Sequence, residues 1–143
     1  MLKSRKGGLC NEKILLIILF ILGITFLSAC GPNTWVLEKE RLGEVGSIEN
    51  YVWQLQNKKT KFRGYRVFTI SEGKKMVVVS TGSTDKTLEF TGADVSNNNT
   101  TISVEEVSKV SGEENSYILI GINKIKGELT VVNEREEKFI AFE

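Results

Sequence analysis

Lys86-Thr87-Leu88-Glu89-Phe90-Thr91 and, after a polar link, Thr100-Thr101-Ile102-Ser103-Val104-Glu105-Glu106-Val107 set the class of this chain. Leu88 and Phe90 are interleaved with Thr87, Glu89 and Thr91; Ile102 and Val104 are interleaved with Thr101, Ser103 and Glu105. A period of two puts all the apolar side chains on one face of an extended chain, which is the pattern of a half-buried strand. On either side, 62–71, 75–81, 116–122, 128–133 and 137–142 are rich in the same Val, Ile, Thr, Phe and Tyr. Glu72-Gly73, 82–85, Asn97-Asn98-Asn99, 111–115 and Lys126-Gly127 separate them with turn-forming residues. Met76-Val77-Val78-Val79 and Tyr117-Ile118-Leu119-Ile120 are apolar at consecutive positions, so both of their faces are buried and those strands are expected to be central.

Upstream of the β-rich part the period changes. Ile48, Val52 and Leu55 follow an i, i+4, i+7 spacing with Trp53 beside them, which predicts one short amphipathic helix over 48–56. Ser47 is placed to cap it, and Glu49 suits the positive end of its dipole. The expected class is therefore mainly β, with α+β as the alternative: a small antiparallel meander or sandwich of about six to seven strands with one short helix. Residues 47–143 form the β-rich domain in this reading, and 30–46 form a tether.

The first 29 residues are of a different kind. Lys3, Arg5, Lys6 and Lys13 face a single Glu12, and from Ile14 to Phe26 every residue is apolar except Gly23 and Thr25. A cationic start, an apolar run and then small residues are the parts of a secretory signal. The run closes in Leu27-Ser28-Ala29-Cys30, which resembles the lipobox of bacterial lipoprotein precursors. That resemblance implies that 1–29 is a cleaved signal peptide, that Cys30 carries diacylglycerol as the first mature residue, and that the protein is held on the extracytoplasmic face of the cell membrane. Two acyl chains anchor stably where one does not. Two readings compete: an uncleaved anchor, since 14–30 lies near the short limit of roughly 17–25 residues for a spanning helix, and an ordinary signal followed by Cys30 as a plain thiol.

Processing changes the inventory. The chain has 143 residues, two cysteines, no histidine and a net charge of +1. Removing 1–29 takes away four cations and one anion, which leaves −2, and it also removes Cys10. With Cys30 acylated, no thiol remains for a disulfide or for metal, and without histidine neither a Ser-His-Asp nor a Cys-His mechanism can be built. No cofactor is expected.

The remaining candidate chemistry is sparse. Ser71 with Lys74, and Ser83 with Lys86, match a Ser-x-x-Lys pattern, but both lie in turns rather than on a helix face. Ser83-Thr84-Asp85-Lys86-Thr87 lacks the glycines and the following helix that a phosphate loop needs. The pairs Glu105-Glu106, Glu113-Glu114 and Glu136-Glu137 are sequence neighbours, which a strand sends to opposite faces. Lys58, Lys59, Lys61, Arg63 and Arg66, with Phe62, Tyr65 and Phe68 among them, make the densest basic stretch. The plain reading is a solvated turn leading into a strand whose aromatics face the core; as a binding surface outside a membrane its partner would be an anionic lipid or wall polymer, and nucleic acid is not expected. Trp35, Trp53, Tyr65 and Tyr117 are the candidates for a stacking platform.

From Lys75 to Asn123 the order of features is similar to the C-terminal domain of the B-type protease-complex subunit family. The matching residues are Met76-Val77-Val78-Val79-Ser80-Thr81-Gly82, Leu88-Glu89-Phe90, 101–106 and Asn115-Ser116-Tyr117-Ile118-Leu119-Ile120. This resemblance implies a small all-β module that assists a partner protein. The expected function is a non-enzymatic envelope lipoprotein that binds a protein or a cell-wall component. The alternative is an extracytoplasmic hydrolase that uses carboxylates or a Ser-Lys pair.

Overall fold

The computed structural model describes residues 33–142. The expected signal peptide at 1–29, with Cys10, and the expected lipid site at Cys30 lie outside the described residues. Among those described, eight strands form two sheets. Strands β1 (Thr34–Val36), β2 (Arg63–Thr69), β3 (Lys75–Thr81), β6 (Tyr117–Ile122) and β8 (Ile140–Ala141) make a five-stranded sheet in the order β1-β6-β3-β2-β8. Strands β4 (Thr87–Val95), β5 (Asn99–Val107) and β7 (Glu128–Val132) make a three-stranded sheet in the order β4-β5-β7. An α-helix, α1 (Gly46–Asn57), completes three layers: helix, large sheet, small sheet.

The runs that are apolar at consecutive positions explain the layering. Val77 and Val79 of β3, with Ile118, Ile120 and Ile122 of β6, point to the small sheet and meet Leu88, Ile102, Val104 and Val131. Met76 and Val78, with Tyr117 and Leu119, point the other way and meet Ile48, Tyr51, Val52 and Leu55 of α1. A strand covered on both faces needs apolar residues at every position, and β3 and β6 have them. They pair with each other at the centre of the large sheet, as expected.

Four local features differ from expectation. Strand β4 does not stop at Thr91 but runs to Val95, because the register slips between Phe90 and Gly92. The bulge inverts the parity: Leu88 and Phe90 face the core before it, Ala93 and Val95 after it. Alternation read across an extra residue looks broken when it has only changed phase. Helix α1 begins two residues early, with Val45 as its cap residue and no side-chain cap bond, so Ser47 lies inside the first turn rather than before it. The tether is also shorter than expected, since Thr34–Val36 pairs with β6, Leu37 is buried, and 39–44 form a 3-10 turn.

The fourth difference is topological. The class is the expected one, mainly β with two packed sheets and one helix, but not every pair in it is antiparallel, because β5–β7 and β2–β8 are parallel pairs. Between β5 and β7 the chain spends β6 in the other sheet, so the next strand to enter the small sheet runs the same way as the last. Among the described residues no helix is long and apolar enough to cross a membrane.

Candidate functional site

The strands of the large sheet give the domain two ends. At one, Thr34 and Lys75 both lie opposite Ile122, and Thr69 lies opposite Lys75. At the other, Arg63 lies opposite Thr81, and Tyr117 opposite Ser80. The seven residues of β3 separate them by roughly 20 Å at about 3.3 Å per residue. We refer to these as the Trp35 end and the Asn115 end.

The Asn115 end is organised by one buried amide. Asn115 Nδ2 donates to Lys59 O (3.1 Å) and Phe62 O (2.9 Å), and Oδ1 accepts from Gly82 N (2.7 Å). Gln56, in the last turn of α1, accepts from Asn115 N (3.1 Å) and donates to Asn115 O (2.7 Å). These bonds fix the peptide between α1 and β2, and with it most of the basic stretch, at this end.

The stretch does not make one patch. Lys58, Lys59 and Lys61 are exposed. Arg63 and Arg66 sit on β2 three residues apart, so strand alternation sends them to opposite faces. Arg63 turns towards the small sheet, where Nη1 and Nη2 both bond the buried Glu106 carboxylate, the second at 3.0 Å. Arg66 turns towards the helix layer, with its guanidinium over the rings of Tyr51, Phe68 and Phe142 at 4.8–5.3 Å. Charge is dense along the chain here, but the backbone divides it.

Glu106 also accepts from Asn133 Nδ2 (2.8 Å), which bonds Glu137 as well (2.8 Å), while Arg135 Nε reaches Glu137 at 3.0 Å. Burial by itself raises the Glu106 pKa, but the bonds and charge of Arg63 and the amide of Asn133 outweigh it and leave the carboxyl below its ordinary range. Glu137 is lowered by Asn133 and Arg135, and Glu134 by the backbone N–H of Glu106. All three carboxylates are held ionised, the opposite of what a general acid requires. As alternation requires, Glu105 is exposed where Glu106 is not. Among the described residues no group of three or more Cys, Asp or Glu could hold a metal ion.

The Trp35 end is built from three separated segments. Asn33 O accepts from Asn123 N (3.1 Å), which ties the start of the domain to the end of β6. Trp35 lies opposite Gly121, and its indole covers that glycine. Beside it opens a cleft of about 410 Å³ between Trp35, Arg41, Val45, Ile70, Lys74 and Met76. Lys74 Nζ stands 5.9 Å from the centre of the indole and 3.8 Å from Glu72. Lys75 Nζ donates to Thr69 Oγ1 (2.7 Å), and Lys124 and Lys126 are exposed on the β6–β7 loop. Buried Thr100 holds that loop: its hydroxyl donates to Lys126 O and accepts from Lys126 N, both at 2.9 Å. Sequence reading missed this end because no local run contains it.

The Ser-Lys candidates lie in two separate turns. Ser71 and Lys74 line the same cleft, but the lysine is paired with Glu72. Ser83 Oγ accepts from Asp85 N (3.0 Å) in a turn. The aromatic candidates are dispersed: Tyr65 spans the sheets through a bond to Leu129 O (3.1 Å), Tyr117 is buried under Lys39, and Trp53 is 52% exposed on α1. They form no common platform.

The uncharacterized protein YycS of Bacillus subtilis (strain 168) is 46% identical over 126 residues, covering 85% of this chain and 90% of that one. The chain belongs to the YycS family. Residues 33–143 amount to less than 85% of the chain, so the similarity to YycS runs into the segment before Asn33. No family model and no solved structure matches the chain.

Proposed function

We propose that this YycS-family chain is an envelope lipoprotein: 1–29 direct export, Cys30 carries the lipid, and 33–142 form a non-catalytic domain that binds a protein partner or cell-wall component. The observation that carries the reading is Leu27-Ser28-Ala29-Cys30 at the end of a cationic and then apolar leader. Cleavage there leaves four residues, 30–33, ahead of β1 at Thr34, so the lipid and the domain are closely coupled. A binding role draws support from Glu106, Glu134 and Glu137, each engaged in bonds that hold the fold, and from the absence of histidine. Replacing Cys30 by Ala is expected to abolish incorporation of a radiolabelled lipid precursor and to release the protein from membranes. Unchanged labelling and retention would sink the reading.

The hydrolase alternative keeps one observation, the shared cleft of Ser71 and Lys74. Covalent capture by an acylating serine probe that is lost in Ser71→Ala would establish it.

A further inference from the structure

We propose that the open half of the β2 edge captures the C-terminal strand of a partner protein, with Arg66 receiving its free carboxylate. This rests on the reading of 33–142 as a binding domain and names the chemistry of the partner.

The backbone of β2 supplies the first part of the argument. Phe142 N donates to Tyr65 O (2.8 Å), and Ile70 N donates to Lys74 O (2.8 Å) on the β3 side. Main-chain groups alternate along a strand, so Tyr65, Val67 and Thr69 turn their N–H and C=O groups away from β3. Strand β8 lies opposite Gly64 and Tyr65 alone. Beyond it Val67 and Thr69 are exposed, and no bond among the described residues engages their outward groups. Such a row of unpaired groups is matched by another extended main chain. The other edges are less open. Strand β1 has three residues, β4 is broken by its bulge, and β7 is engaged at Val131 O by Phe139 N and at Leu129 O by the Tyr65 hydroxyl.

Arg66 supplies the second part. Beside the open edge runs a groove of about 470 Å³ lined by Val67, Leu129, Ala141 and Phe142, with Arg66 and Glu128 on its walls. The guanidinium lies over three rings and makes no hydrogen bond or ion pair among the described residues, with Glu128 or any other. Stacking thus holds a permanently charged fork of donors at the groove with nothing to accept from it.

Together the two features fix a direction. Phe142 already occupies Tyr65 O, so an added strand cannot continue past Val67. A strand antiparallel to β2 ends there in a carboxylate, which accepts from Val67 N–H and from Arg66. A parallel strand would begin there, with an ammonium against the guanidinium. The last residue of the antiparallel strand lies opposite Val67, and its side chain falls between Val67 and Leu129.

The test uses the full chain, purified from membranes in detergent, and a library of random octapeptides displayed with free carboxyl ends. Selection is expected to enrich peptides with an apolar last residue. A synthetic copy of the enriched peptide should bind about tenfold or more weakly once its carboxyl is amidated, or once Arg66 is replaced by Met. The two losses should not add, because they remove the two halves of one bond. Thr69→Pro deletes an outward N–H that β3 does not use, so it should weaken the peptide and leave thermal unfolding unchanged. Glu143→Gln removes the acid that follows Phe142 in the chain and should tighten it. Failure to enrich any peptide, equal binding of the amidated peptide, or indifference to both Arg66→Met and Thr69→Pro overturns the proposal. Sedimentation of the same chain with purified cell walls separates the two failures. A peptide held on another surface, or wall binding without any peptide, sinks the β2 edge alone; neither peptide nor wall binding sinks the binding reading as well.

Discussion

Trp35 and Gly121 face each other across the β1–β6 ladder, and the indole occupies the space that any side chain at 121 would need. Strand β1 has only three residues, so this contact is a large part of what holds the first strand of the domain against the sheet.

Gly121→Ala is therefore expected to push the indole off the sheet. Overpacking of this kind costs about 1–3 kcal/mol. Thermal unfolding should show a lower midpoint, and Trp35 emission in a Trp53→Phe background should shift to the red. An unchanged midpoint would mean that the indole moves aside freely.

Asn115 makes a sharper case, because its amide both donates and accepts inside the fold. Asn115→Ala takes from Gly82 N its bond to the amide oxygen, at roughly 1–3 kcal/mol for a group left unsatisfied, while Lys59 O keeps Phe62 N and Phe62 O keeps the Ser80 hydroxyl. Asn115→Asp should be worse at neutral pH, since a carboxylate would face two carbonyl oxygens. Its folded pKa would then be raised, so the defect should shrink as pH falls. Urea unfolding at pH 7 and pH 5 checks the direction.

The Arg63–Glu106 pair sets an acid limit on stability. Folding lowers the Glu106 pKa, so its contribution is fully present above the unfolded value of about 4.5 and is lost as pH falls through the depressed folded value. Glu106→Gln should cost about 1.5–3 kcal/mol at pH 7, the range for bonds to a charged group. The difference from the unmodified protein should close below pH 4. A gap that persists at pH 3 would assign the loss to packing instead.

Tyr51 carries the opposite prediction. Its hydroxyl is buried and has no hydrogen-bond partner among the described residues, and burial holds its pKa up at about 12. Tyr51→Phe removes an unsatisfied polar atom and keeps the ring contacts with Phe68 and Phe142. The stability should stay level or rise, by up to about 1 kcal/mol, read from the midpoint of unfolding. A clear loss would reveal a bond to that oxygen.

Whatever depends on neighbouring residues was legible in the chain alone. The β content, the burial of β3 and β6 on both faces and the apolar stripe of α1 are all written in runs of adjacent side chains. Whatever depends on pairings between distant segments waited for the fold. Strand pairing was needed to show that Thr91 lies in a bulge that changes the phase of β4, and that β5–β7 and β2–β8 run parallel. The same holds for charge. A basic run was visible in the chain, but β2 divides Arg63 from Arg66 and Asn115 holds the rest at the far end. Trp35, Lys74 and Lys124 lie far apart in the chain until the register of β1, β3 and β6 brings them to one end. Periodicity records which face a residue takes; only closure of the sheet decides which end of the molecule it reaches.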